Sequence, residues 1–243
     1  MKKQFFLLSI ILLLSGNLWS QEKEVTRIPL IGELAPEFTV QTTNGKIHFP
    51  DDYSMKWKIV FSHPADFTPV CSSEMLQLAA MQDEFDKLNT KIIVISTDGL
   101  ESHLAWVKSL ETINYPGSTP VKINFPLVPD PDFKISKKFG MIHSYTSTTQ
   151  DVRGVFIIDP NDRICAVFFY PHNIGRNLEE IERTLIALQT SDKFDVLTPA
   201  NWHPGGDVMI KNSPIHDEAS APAWKNAPGT TSFPWYMCFK KLP

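Results

Sequence analysis

Residues 58–96 read KIVFS-HPADFTPVCSSEMLQLAAMQDEFDKLNT-KIIVIS, and the rest of the chain is organised around them. The flanking runs, 58–62 and 91–96, are apolar and rich in β-branched residues, with no polar alternation. Such runs are buried on both faces and belong to the middle of a sheet. The segment between them, residues 70–88, has helical period, with Leu78, Met81, Phe85 and Leu88 on one face. Strand, helix and strand in that order form a βαβ unit.

Outward from this unit the elements keep alternating. Upstream, residues 40–42 and 47–49 flank Asn44-Gly45 and read as a short hairpin. Downstream comes a helix over about 101–111, with Leu104, Trp106, Val107 and Leu110 to bury. Residues 155–158 and 164–170 are two further strands joined at Asp159-Pro160-Asn161-Asp162, a strong turn signal. A last amphipathic helix covers 178–188. A βαβ unit followed by a hairpin and a helix is the order of an α/β, thioredoxin-like sandwich, a mixed central sheet flanked by helices. From about residue 191 the period is lost. Prolines accumulate, and Trp202, Trp224 and Trp235 appear in a stretch that cannot build a core alone. This reads as an extended C-terminal arm that packs on another surface, such as a second subunit.

The chain of 243 residues is 42% apolar and 21% charged, with a formal charge of −4. These values exclude wholesale disorder and collagen-like repetition. They also argue against a partner bound through phosphate neutralisation, so no nucleic acid is expected. Residues 1–20, MKKQFFLLSIILLLSGNLWS, have a basic start, a short apolar run and a small closing residue, the layout of a secretory signal peptide. The expected organisation is therefore a signal peptide (1–20), a catalytic domain (21–190) and the arm (191–243). Localisation is periplasmic or secreted, with no stable membrane insertion after cleavage. Three cysteines, an odd number, would then meet a compartment where disulfides persist.

The chemistry concentrates at Cys71. Thr68 suits an N-cap and Pro69 the first helical position, which makes Cys71 the third helical residue. There its sulfur lies near unpaired backbone N–H groups and the positive end of the helix dipole, both of which favour the nucleophilic thiolate. The plainer reading, a small buried hydrophobe, fits the same position. No Cys-x-x-Cys occurs, so a dithiol exchanger lacks its second sulfur nearby. His203 and His216 match no metal-ligand spacing, and no metal or other cofactor is expected.

The segment from His63 to Glu74 resembles the active site of the peroxiredoxins, whose core Pro-x-x-x-Thr-x-x-Cys is met by Pro64, Thr68 and Cys71. The fuller form resembles the one-cysteine, peroxiredoxin-6-like branch. HLAW (103–106), INFPLVPD (123–130), RGVFIIDP (153–160), YP (170–171) and GRN (175–177) continue the likeness in order. The resemblance implies reduction of hydrogen peroxide and organic hydroperoxides through a Cys71 sulfenic acid, with Thr68 and Arg153 as helpers. It places Arg176 near the pocket as a second cation, against a simpler role at the start of the last helix. Pro64 would shape the site. Glu74 would orient its neighbours or merely favour the first helical turn, and His63 would touch the pocket or be structural. Ala65 stands where the family usually has arginine. Residues 53–57 lack the glycines of a lipase-like elbow, so phospholipase activity is not expected.

Cys165, in an apolar strand, is read as inert. Cys238, in an aromatic stretch near the C-terminus, either packs there or resolves the Cys71 sulfenic acid from another subunit. The implied partners are a peroxide, an external thiol reductant, and further copies of the chain in a homodimer or ring of dimers. A thiol–disulfide oxidoreductase and a peroxide sensor or holdase are the competing readings.

Overall fold

The computed structural model describes residues 27–114, 121–211, 229–232 and 237–242. The chain opens with a hairpin, β1 (Phe38–Thr42) and β2 (Gly45–Phe49), around the expected Asn-Gly turn, with Gly45 at φ +100°. Then follow β3 (Trp57–Ser62), α1 (Pro69–Ala80), α2 (Gln82–Lys87), β4 (Thr90–Ser96) and α3 (Leu100–Leu110). β5 (Leu127–Pro129), α4 (Lys134–Lys138), β6 (Arg153–Ile158), β7 (Ile164–Tyr170) and α5 (Leu178–Phe194) complete the main layer. Its five strands lie in the order β5-β4-β3-β6-β7. β3 pairs parallel with β4 and antiparallel with β6, so the sheet is mixed, as the thioredoxin-like reading requires.

The runs read as central strands are central. All six residues of β3 are buried, and β6 is buried throughout. One face of the sheet packs Ile59, Phe61, Val94 and Val155 against Met75, Phe85 and Trp106 from α1–α3 and Ile181 and Leu185 from α5. The other packs Val60, Ile93 and Phe156 against Phe38, Phe49 and Phe139. Burial of this kind is worth roughly 25 cal/mol per Å² of apolar surface removed from water. β3 and β6 meet at the centre of both layers, and their C-terminal and N-terminal ends respectively converge on the site described below.

Four expectations change in detail. The helix read over 70–88 is two helices, broken at Met81, whose N–H is shared between the carbonyls of Gln77 and Leu78. The helix read over 101–111 begins at Leu100 and buries Trp106 and Leu110, whereas Leu104 is exposed. α5 runs on to Phe194, where Asp195 closes it in the left-handed conformation. The C-terminal residues are not simply extended. β8 (Val196–Leu197), β9 (Val208–Ile210), β10 (Thr230–Ser232) and β11 (Cys238–Lys240) form a second sheet in the order β10-β11-β9-β8. Trp202 and Val208 bury against Ala187 of α5 and Val196, a third small core that borrows one wall from the helix. Residues 1–20, His216, Trp224 and Trp235 lie outside the described residues.

Candidate active site

β3 ends at Ser62, and the loop that follows is turned by Phe67, a non-glycine residue at φ +54°. Thr68 is extended and occupies the N-cap position, with Pro69 at the first helical position as expected. Its hydroxyl does not cap the helix. It donates instead to the Ala65 carbonyl at 2.9 Å, which tightens the loop and leaves the oxygen's lone pairs for an incoming donor. Cys71 is then the third helical residue and is fully buried within the core cluster.

Arg153, the first residue of β6, reaches across to this sulfur: its Nη1 donates to Cys71 Sγ at 3.3 Å and to Glu74 Oε2 at 2.7 Å. Its Nε and Nη2 both donate to the His172 carbonyl, at 3.1 and 2.6 Å. The guanidinium is therefore held from three sides. Glu74 follows Cys71 by three positions and so shares its helix face. Arg176, just before α5, donates to Glu74 three times, from its backbone N (2.7 Å), Nε (3.0 Å) and Nη2 (2.7 Å). Its Nη1 reaches the carbonyls of Ser62 and Gly154, and its guanidinium lies 5.1 Å from the Phe61 ring centroid. Burial pushes the Glu74 carboxyl up, but Arg176 and then Arg153 outweigh it and hold the group below the usual carboxylate value. Two guanidiniums against one carboxylate leave one net positive charge beside the sulfur, in a site from which water is almost excluded.

A second buried group braces the loop. Asp66 pairs with His63 Nε2 at 3.1 Å and His103 Nδ1 at 2.9 Å, and its backbone N–H donates to Asp98 at 3.0 Å. The His63 ring lies tilted at 5.0 Å from that of Trp106, whose Nε1 donates to Ser72 beside Cys71. Burial pushes His63 down, against the opposing pull of Asp66. His63, Asp66 and Asp98 bring one ligand atom each within 4.8 Å of one another. Both Asp66 oxygens are nevertheless engaged by the two histidines and Asp98 Oδ2 by the Asp66 N–H and Ser96, and the unpartnered His63 nitrogen is Nδ1, the one not bonded to Asp66. The group is a hydrogen-bonded brace.

The structure thus brings together Cys71, Thr68, Glu74, Arg153 and Arg176, with Pro64 buried in the same loop. Arg176 contacts Glu74 and backbone carbonyls, one step removed from the sulfur. Cys165 is half-buried on β7, and burial pushes its thiol up to about 11, in keeping with an unreactive residue. Cys238 is buried in β11, and no disulfide joins Cys71, Cys165 and Cys238. β11 pairs with β9, whose Val208 packs on Ala187, whereas Glu74 meets the chain just before the start of α5. Ser62, Asp66, Asp98 and His103 were not singled out from sequence. His103 lies in the HLAW motif, which offered a signal, whereas the His172 contribution is a backbone carbonyl and offers none.

Comparison with known proteins gives the family. Residues 31–167 match the AhpC/TSA family, and residues 187–226 match the C-terminal domain of 1-Cys peroxiredoxin. The chain belongs to the AhpC/TSA peroxiredoxins. A peroxiredoxin of Methanosarcina mazei is 47% identical over 215 residues, covering 88% of this chain and 98% of the relative. One from Thermotoga maritima is 42% identical over 220 residues, covering 89% and 99%. Among solved structures, a yeast mitochondrial 1-Cys peroxiredoxin superposes with a TM-score of 0.76 at 35% identity, covering 88% of this chain and all of that one. A cysteine-to-serine mutant of the peroxiredoxin 6 of Arenicola marina gives 0.76 at 30%, covering 88% and 99%. The chain is accordingly a thiol-dependent peroxidase, of a family that uses peroxides and thiol reductants and forms dimers.

Proposed function

We propose that Cys71 is the thiol that attacks the peroxide, and that Arg153 and Thr68 organise the reaction. The observation that carries this reading is the 3.3 Å contact between Arg153 Nη1 and Cys71 Sγ in a buried, charge-compensated site. The Cys71 thiolate forms a bond to the nearer peroxide oxygen while the O–O bond breaks. The bonding pair leaves with the far oxygen, which takes up a proton as water or alcohol, and sulfur keeps the nearer oxygen as sulfenic acid. Arg153 supplies charge and an N–H as the bond stretches. Thr68, whose proton is held by Ala65, accepts from the peroxide O–H. Arg176 and Glu74 position Arg153, and Pro64 and His63 shape and brace the loop.

Full burial of Cys71 favours a small oxidant over a protein disulfide, which supports the peroxidase reading over the oxidoreductase one. The sulfenic acid must become exposed before an external thiol can reduce it. In the same reading residues 1–20 direct export, and the C-terminal region with the half-buried edge strand β7 serves a homodimer or ring of dimers. The test is to treat the reduced protein with one equivalent of hydrogen peroxide in the presence of dimedone. Modification confined to Cys71 is expected. Modification of Cys165 or Cys238 with Cys71 untouched contradicts the assignment. A Cys71–Cys238 crosslink between subunits on a non-reducing gel, without dimedone, makes Cys238 the resolving thiol; its absence assigns Cys238 to packing.

A further inference from the structure

The ladder between β3 and β6 runs from Lys58↔Ile158 to Phe61↔Val155 and stops one residue short of Ser62. At that point the Ser62 side chain replaces the ladder. Its Oγ donates to the Val152 carbonyl at 2.6 Å and accepts from the Gly154 N–H at 2.8 Å. One hydroxyl therefore grips the backbone on both sides of Arg153. Gly154 N also reaches the Val152 carbonyl at 3.0 Å, so residues 152–154 form a tight three-residue turn with Arg153 at its apex. The Ser62 carbonyl, meanwhile, accepts from Arg176 Nη1 at 2.8 Å. Ser62 is fully buried, and a Cβ on Gly154 would come within 2.9 Å of its Oγ and 3.2 Å of Phe169 Cε1. Serine is small enough to enter this gap and offers both a donor and an acceptor from one atom. Alanine offers neither, and threonine adds a methyl group.

We propose that Ser62 is a positioning residue for peroxide reduction, setting the backbone from which Arg153 projects onto Cys71. The proposal rests on the reading of Cys71 as the attacking thiol. The Arg153 side chain amplifies any change in its backbone at the 3.3 Å contact with Sγ, and displacements well below about 1 Å are enough to slow a preorganised reaction. A serine that only satisfied two buried backbone groups would affect stability and leave turnover of the folded protein intact.

The experiment is a double-mutant cycle on the full chain, reading kcat/KM for hydrogen peroxide well below each variant's Tm. Ser62→Ala is expected to lower kcat/KM about tenfold in the wild-type background and less than about twofold in Arg153→Lys, where no guanidinium remains to be misplaced. Equal losses in both backgrounds, or a lowered Tm with unchanged kcat/KM, overturn the proposal. If Ser62→Ala does not fold, Gly154→Ala takes its place in the same cycle, because its methyl group displaces the hydroxyl; the same pair of outcomes decides. Cys71→Ser separates the two levels of the account. Wild-type turnover in that variant overturns the site assignment itself, whereas an inactive Cys71→Ser beside an unaffected Ser62→Ala removes only the positioning role.

Discussion

Glu74 shows how much one residue can organise. Its carboxylate accepts from Arg153 and Arg176 at once, and without it two guanidiniums would face each other out of water. Glu74→Gln is therefore expected to cost about 3–5 kcal/mol in urea unfolding, the usual penalty for stripping one partner from a buried ion pair. An unchanged midpoint would show that solvent already reaches the pair. Asp151 presents the opposite case. It is buried, accepts from Ser136, has one oxygen without a partner among the described residues and lies near Asp130 and Asp98, so burial raises its carboxyl well above 3.8. As pH rises above that value, the unfolded chain ionises while the folded one stays protonated, and the fold loses stability up to the raised value. The Tm difference between Asp151→Asn and wild type should shift in the variant's favour from about pH 5 to about pH 8. A constant difference would contradict the raised carboxyl. Residues such as Cys71 and Arg153 were legible because a motif held them. Thr68 was legible in position and not in bonding, since a hydroxyl three residues from Ala65 can close the loop as well as cap a helix.

At the scale of elements, legibility followed length. β3, β4 and β7 were found because unbroken apolar runs have few alternative explanations. β5 has three residues and α4 five, too short for any period to show. The break at Met81 was hidden because Leu78, Met81 and Phe85 keep one face through both helices. The true end of α5 was hidden because the apolar stripe stops before the polar residues 189–193, while the backbone continues to Asp195. The start of α5 obeys a simpler rule: Asn177 accepts from the Glu180 N–H at 3.1 Å as a side-chain cap. Asn177→Ala should cost about 1 kcal/mol of stability, measured by chemical denaturation. A loss near zero would mean that solvent caps the helix equally well.

For the whole molecule, the five-stranded sheet is the frame on which the site depends. Cys71 arrives from the end of β3, Arg153 from the start of β6, and Arg176 and Glu74 tie both to the entry of α5. The order of elements was readable from sequence because alternating strand and helix periods restrict the topology. The second sheet was not. β8, β9 and β11 are two or three residues long, and Val196 of β8 and Val208 of β9 pack on Ala187 of α5, so no local pattern announces them. Cys71 lies in the core of the main layer and Cys238 in β11 of the second sheet. The most direct measurement is steady-state consumption of hydrogen peroxide, with a thiol reductant, by Cys71→Ser, Cys165→Ser and Cys238→Ser compared with wild type. Cys71→Ser should fall to the uncatalysed background while Cys165→Ser retains wild-type consumption, and Cys238→Ser, given one equivalent of peroxide without reductant, should still consume it. Wild-type consumption by Cys71→Ser would contradict the assignment of Cys71 as the attacking thiol.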